Sequence, residues 1–342
     1  MTLGTNLLLQ WWGQNQGDYS AYDIAIEVTP NAELGMTYGF NCSQTSGFRV
    51  NWGDGTATEH AKTASTCSHT YAEPGVYVVT IRDGSIYTTF NFGRWNAANG
   101  KLVSRILRCR LPNLISYFTM FGQLANCTYI NPVDVVGNDN VTDASAALCR
   151  SGAMTDLPNL QTAGVTNIKQ FFANNGTTFM PYLFPNAENC ETAFSATNIT
   201  TLPSGFSLPH ATAANGCFQM CYNLTALPDG FEIGSSCANI GAFVRYDAAL
   251  QYIPNSFVIP SGASNMFVMF QGSGIARLPN FPQAFTETTI DIRSAFSNCA
   301  AMTGTAPAAL LWEDTSKTWS SSSCFNGCTS LSNYADIPSG WK

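Results

Sequence analysis

Apolar residues recur along this chain with two different rhythms. In the first hundred residues they alternate. Phe48 to Trp52 reads F-R-V-N-W, the pattern of a strand with one face buried. Gly53-Asp54-Gly55 then forces a tight turn, because glycine accepts positive φ and Asp54 can bond the backbone ahead of it. Glu73-Pro74-Gly75 makes a second turn and launches Val76 to Ile81. Asp23 to Val28, Met36 to Phe40 and Tyr87 to Phe92 read as further strands. Short strands between such turns predict an antiparallel sandwich over residues 20–98, behind an N-terminal segment 1–19.

The second rhythm is a repeat. Aromatic anchors stand at Phe172, Phe194, Phe218, Phe243, Phe270, Phe296 and Phe325, spaced by 22, 24, 25, 27, 26 and 29 residues. Most are followed by an aliphatic pair and a proline, as in Ile199/Leu202-Pro203, Leu224/Leu227-Pro228 and Leu250/Ile253-Pro254. A weaker copy precedes them at Leu148, Met154 and Leu157-Pro158. A period of this length with L-x-x-L spacing predicts a leucine-rich-repeat solenoid over residues 146–342, with an irregular start over 99–145. One unit cannot bury its apolar face alone, but stacked units share a core. The anchor is expected on a helical or irregular arc, and the L-x-x-L segment as the strand, ended by a proline that cannot donate to a ladder. The fold class is therefore mainly β, an immunoglobulin-like sandwich followed by a solenoid.

Two stretches raise the question of chemistry. Cys217-Phe-Gln-Met-Cys221 and Cys324-Phe-Asn-Gly-Cys328 each set two cysteines four apart around an anchor. The third position past the anchor is Cys221, Cys299 and Cys328 in three repeats, but Thr197 and Ser273 in others. A metal site would need the thiols in every copy, or two pairs brought together. Exchange with Thr and Ser is what a packing position tolerates, so neither metal nor cofactor is expected. The three histidines, His60, His69 and His210, are too few and too scattered for a His-based site. Asp54 and His69 are expected to hold their turn. No carboxylate pair suits a glycosidase.

Composition narrows the partners. Charged residues make up 11% of the chain and apolar ones 45%, so the surface is polar and nearly neutral. A net charge of −7, with 15 scattered basic residues, argues against nucleic acid. No apolar run reaches the roughly 20 residues that cross a bilayer. The start, M-T-L-G-T-N-L-L-L-Q-W-W, lacks a basic region and breaks at Gln10, which makes a poor export signal. An outward-facing composition without an export signal fits a protein that leaves its cell by assembly and lysis.

Trp52-Gly53-Asp54-Gly55, followed by H-T-Y-x-x-P-G-x-Y-x-V-T-I from His69 to Ile81, resembles the signature of PKD-like domains. The later pattern, with Met269-Phe270 and Cys324 to Leu331 as its clearest copies, resembles the repeats of BspA-like leucine-rich-repeat surface proteins. The first resemblance implies a spacer, docking or glycan-contacting module without catalysis of its own. The second implies a non-enzymatic adhesion surface of bacteria, or the similar modules of phage structural proteins. The expected function is thus a virion component that presents its repeats to a protein or glycan, with a bacterial adhesin as the alternative and a carbohydrate-active enzyme a distant third. Expected partners are other virion or surface proteins in an assembly, and a host glycan or surface protein. Contacts for that assembly are expected at Leu7, Leu8, Leu9, Trp11 and Trp12, and at Trp341, unless Trp341 folds back as a lid.

Overall fold

A computed structural model describes residues 18–93 and 96–342. The Leu7 to Trp12 cluster lies outside these residues. The described chain is mainly β, with very little helix and several sheets, none of them closed.

The first strands are β1 (Ile24–Val28), β2 (Thr37–Gln44), β3 (Phe48–Asn51), β4 (Ala57–His60), β5 (Thr66–Thr70), β6 (Tyr77–Ile81) and β7 (Tyr87–Asn91). β8 (Val103–Cys109) and β9 (Tyr129–Ile130) follow a short helix, Ala97–Gly100. They form a six-stranded sheet in the order β4-β3-β6-β1-β8-β9 and a three-stranded sheet in the order β5-β2-β7. The alternation read in β3 holds: Phe48 and Val50 are buried, while Arg49 and Asn51 are exposed. A shared aromatic core joins the sheets, with Phe40 against Trp52 and Phe90, and Phe48 against Tyr87.

The turn after β3 depends on Gly53. Its φ is +86°, and a Cβ there would lie 2.7 Å from the carbonyl oxygen of Val78. Only glycine accepts both constraints. Asp54 Oδ1 receives the Thr56 N–H at 3.0 Å and the Thr56 hydroxyl at 2.6 Å.

The expected boundary at residue 98 falls inside this assembly. β8 pairs antiparallel with β1 and carries buried Val103, Ile106 and Cys109, and β9 then pairs parallel with β8. A cut at 98 would bare the edge of β1 and remove part of its core. The first sheet thus continues into the segment expected to be irregular.

From Ser116 onward the chain stacks on itself in parallel. Single bridges link Ser116, Asp143, Asn167, Asn189, Ala213, Asn239, Asn265 and Asp291, each to the next. β12 (Thr289–Asp291) extends the series to β13 (Thr318–Ser320); β10 (Val135–Val136) pairs with β11 (Asn159–Leu160) elsewhere on the stack. At every one of these bridging residues but Ala213 the side chain caps the backbone two residues on, as Asn167 Oδ1 does for the Lys169 N–H at 3.2 Å. This is the Asx turn, repeated. After it, alternate N–H groups bond to the following repeat. Ile168, Gln170, Phe172 and Asn174 donate to the carbonyls of Asn189, Glu191, Ala193 and Ser195.

Two residues in each arc take left-handed backbone, and most are not glycine. Thr119 (φ 53°) and Gln123 (φ 63°), Thr192 (φ 50°) and Ala196 (φ 55°), and Ala242 (φ 50°) and Tyr246 (φ 65°) are examples. Each costs about 1 kcal/mol for a residue with a Cβ, and the inter-repeat bonds on both sides offset it. The continuous ladder therefore runs through the anchor arc. The L-x-x-L segments, expected to be the strands, make only isolated bridges such as Ala226 to Tyr252 and Arg277 to Thr303. Their aliphatic side chains Leu224, Leu227, Leu250 and Ile253 are buried as expected.

The ladder also corrects one anchor. Phe218 N–H bonds to the carbonyl of Phe243, and Val244 N–H to that of Met269. Val244 therefore stands in line with Phe218 and Phe270. Phe243 is buried one residue before the row, stacked on Phe257 at 5.9 Å. Phe172, Phe194, Phe218, Phe270, Phe296 and Phe325 are all buried in the row itself. Phe270, Phe296 and Phe325 stack in succession at 5.5 and 5.2 Å. At the far end Trp341 folds back. It is 7% exposed, lies 5.8 Å from Trp312 and 5.7 Å from Trp319, and its carbonyl takes the Phe325 N–H at 2.8 Å. Of the two roles considered for Trp341, the lid is the one this geometry realises.

Candidate functional site

The outer face of the three-stranded sheet is polar because β2 and β7 send alternate side chains to opposite sides. Cys42 and Phe90 point to the core, while Asn41, Ser43, Thr89 and Asn91 face away from it. Asn41 pairs in register with Asn91 on one side and with Thr66 of β5 on the other, and Ser43 pairs with Thr89. The first repeat rises beside β7 and adds Ser116, Phe118 and Thr119. Together they line a cleft of about 460 Å³, and no described residue of that lining carries a charged side chain.

Two hydrogen bonds fix its floor. Asn91 Nδ2 donates to Thr119 Oγ1 at 2.6 Å, tying sheet to repeat, and Thr66 Oγ1 donates to Asn41 Oδ1 at 3.1 Å. The second bond leaves the Asn41 NH2 for an incoming acceptor. Phe118 is 57% exposed, although the Ser116 hydroxyl receives its N–H at 3.0 Å and fixes its backbone. An exposed aromatic ring on a fixed backbone, beside amides and hydroxyls, can hold a flat apolar face and several hydroxyl groups at once. A smaller groove of about 290 Å³ lies further along, lined by Pro132, Leu157, Pro158, Leu160, Pro181 and Leu183 among others.

The sequence candidates stand elsewhere. His69 Nε2 lies 2.6 Å from Asp54 Oδ2, and its ring stacks on Trp52 at 5.2 Å. Burial would raise the Asp54 carboxyl, but the bonds from Thr56 and His69 win and hold it at about 2. Trp52 Nε1 donates to Thr58 Oγ1, and Tyr71 Oη donates to the Trp52 carbonyl, both at 3.0 Å. Every polar atom here serves the turn. None of Trp52, Gly53, Asp54, Gly55 or His69 lines the cleft, although the turn lies in sequence between two stretches that do.

The cysteines of C-F-x-x-C take fixed places in the stack. All twelve cysteines of the chain are buried. Cys221 Sγ lies 3.0 Å from the carbonyl of Phe194, Cys299 Sγ 3.0 Å from that of Phe270, and Cys328 Sγ 2.9 Å from that of Phe296. In the same row Ser151 Oγ donates to the Phe121 carbonyl at 2.6 Å, and Asn175 Nδ2 to the Leu148 carbonyl at 2.8 Å. These five thus supply a weak or strong donor to the anchor carbonyl of the preceding repeat, whereas Thr197 Oγ1 donates to the Phe194 carbonyl of its own repeat at 3.0 Å. Burial pushes the Cys299 thiol up to about 11 and Cys328 up to about 12, which keeps them protonated donors. Cys221→Ala should lower stability by about 1–2 kcal/mol, through a small cavity and a lost S–H donor. Cys221→Ser should recover part of it. Denaturant melts of the two variants check this, and an Ala variant as stable as the parent would contradict it.

Asp247 occupies that row without being a donor. It is fully buried; its Oδ1 accepts the Cys221 N–H at 2.7 Å, while no protein donor reaches Oδ2.

Comparison with known proteins adds no relative. No protein-family model, no curated protein and no solved structure matches this chain. Phe118 and the cleft were invisible in the sequence, because Asn41, Ser43, Thr89 and Asn91 look like the polar half of any alternating strand. The one available signal was the run S-Y-F-T-M-F at 116–121, a repeat start lying in the segment expected to be irregular.

Proposed function

We propose that the chain is a non-enzymatic binding protein displayed on a surface, most simply a phage virion component such as a decoration or fibre protein. In this reading residues 20 to about 110 are a PKD-like immunoglobulin sandwich. The stacked repeats are a leucine-rich-repeat solenoid of the BspA-like kind. The observation that carries the reading is the inter-repeat ladder running from Tyr117 to Trp341. It fixes a row of outward positions three residues before each anchor, occupied by Phe118, Lys169, Glu191, Phe267 and Arg293 among others. Such a scaffold tolerates free variation on one face while its buried rows stay constant. Neighbours in the row interact across repeats: Lys169 Nζ lies 2.7 Å from Glu191 Oε2, and the Arg293 guanidinium sits 5.1 Å above the Phe267 ring. Exposed pairs like these add little stability, so the residues are at liberty to serve recognition.

Mass spectrometry and antibody labelling of density-purified particles test the proposal. The chain is expected in the particles at a fixed ratio to the capsid protein. Recovery in the bacterial envelope fraction would favour the adhesin instead, and recovery only in the soluble lysate would sink both.

A further inference from the structure

The cleft between the three-stranded sheet and the first repeat has a chemistry of its own. Its floor is made of amides and hydroxyls: Asn41, Thr66, Thr89 and Asn91. Its wall is the exposed ring of Phe118. We propose that this cleft is a binding site for a neutral glycan, with one sugar ring stacked on Phe118 and its hydroxyls bonded to Asn41, Thr66 and Thr89. The inference rests on the displayed-binder reading and gives it a place and a ligand class.

Three observations converge on an uncharged, hydroxyl-rich ligand. First, among the described residues the lining holds no Lys, Arg, Asp or Glu, so none of these side chains would compensate a phosphate, sulfate or carboxylate on leaving water. Second, the floor offers both donors and acceptors at strand spacing. Thr66 and Asn91 flank Asn41 on neighbouring strands, and Thr89 lies two residues along β7 from Asn91. Neighbouring strands lie about 4.8 Å apart, close to the separation of hydroxyls across a pyranose ring. A peptide added as a strand would use the backbone edge of a sheet and an amphipathic helix an apolar groove, whereas the floor here is polar side chains on the face of the sheet. Third, the aromatic wall is held in place. The Ser116 cap fixes the Phe118 backbone, and the bond between Asn91 and Thr119 clamps the first repeat to β7. A preformed wall avoids the ordering cost that weakens binding at mobile loops.

The site draws on both halves of the chain. Neither the sheet nor the first repeat forms it alone.

The test uses the full chain and an immobilised panel of neutral, sialylated and sulfated glycans, followed by titration calorimetry on the best neutral hit. Binding is expected among neutral members, and it should change little between low and moderate salt, since no charge in the cleft is there to be screened. Phe118→Ala should weaken it at least about tenfold, and Asn41→Ala should weaken it less. Both side chains are outside the core, so circular dichroism melts should match the parent. Preference for acidic glycans, a steep salt dependence, or unchanged affinity in Phe118→Ala would overturn the site. So would failure of the parent to bind any member of the panel. The displayed-binder reading is judged separately: if the chain is found in particles but Phe118→Ala adsorbs to host cells as the parent does, that reading stands and the cleft assignment falls.

Discussion

Asp247→Asn is expected to stabilise the protein at pH 8 and to leave it nearly unchanged at pH 4. Asp247 stands where Ser151, Asn175, Cys221, Cys299 and Cys328 each offer a donor to the anchor carbonyl of the repeat before. A charged carboxylate cannot donate, and no protein donor reaches its Oδ2. Burial pushes this carboxyl up to about 8, against the backbone N–H bonds of Cys221 and Met220 that favour its charged form. The thiols of Cys217 and Cys221 on the preceding repeat lie near it and are uncharged. The folded protein thus holds a proton that the unfolded chain releases near its ordinary value of 3.8. Folding stability is present in full below about pH 4, falls as pH rises, and levels off above about pH 8. The loss over that window is on the order of 5 kcal/mol. Asparagine supplies the donor without a proton to bind, as Asn175 already does in the same row. The stability gap between variant and parent, from denaturant melts at pH 4, 6 and 8, should therefore widen steadily. A gap that does not change with pH would refute a protonated Asp247.

Trp341→Ala is expected to cost about 3–5 kcal/mol and to expose a sticky end. The Trp341 ring closes a cluster with Trp312 and Trp319, and Phe325 below it is buried. Removing the ring uncovers an apolar repeat face, the hazard that capping units exist to prevent. Trp341→Phe should retain most of the stability. Hydrogen exchange should show the loss concentrated in residues 312–341, and analytical ultracentrifugation should show self-association that grows with concentration. A monomeric Ala variant with an unchanged melting temperature would mean the last repeat is closed by something other than this side chain.

What could be read beforehand follows from how local each signal is. β3 and its glycine turn were legible because alternation and turn chemistry both sit within ten residues. The anchors were legible because a buried phenylalanine at a fixed period has few substitutes. Val244 was misjudged because Phe243 beside it looks the better anchor, although a step of 26 on either side of Val244 is the more even spacing. β8 escaped because it does not alternate. Its buried residues fall at Val103, Ile106 and Cys109, and register shifts against β1 account for the broken period. The Asn or Asp that stands five residues before most anchors was present in T-N-I-K-Q-F-F and A-N-I-G-A-F-V. Each such residue, taken alone, is an ordinary loop residue; only the bridges between repeats give the row its meaning. The cleft could not be read at all, since it joins strands and a repeat that are brought together only by folding.

The junction at β8 and β9 has a consequence for length. The antiparallel sheet ends in a strand that accepts a parallel neighbour, and each repeat then presents to the next the same edge it received. The first sheet is therefore a seed, and the stack a growth from it whose last described repeat Trp341 covers. Nothing in the ladder records how many steps precede or follow a given one. A whole repeat inserted in the middle, or removed from it, would disturb neither the seed nor the Trp341 cover. It would only move the far end by one step relative to the cleft. A stack built in this way changes its length only in whole steps, each the size of a single repeat.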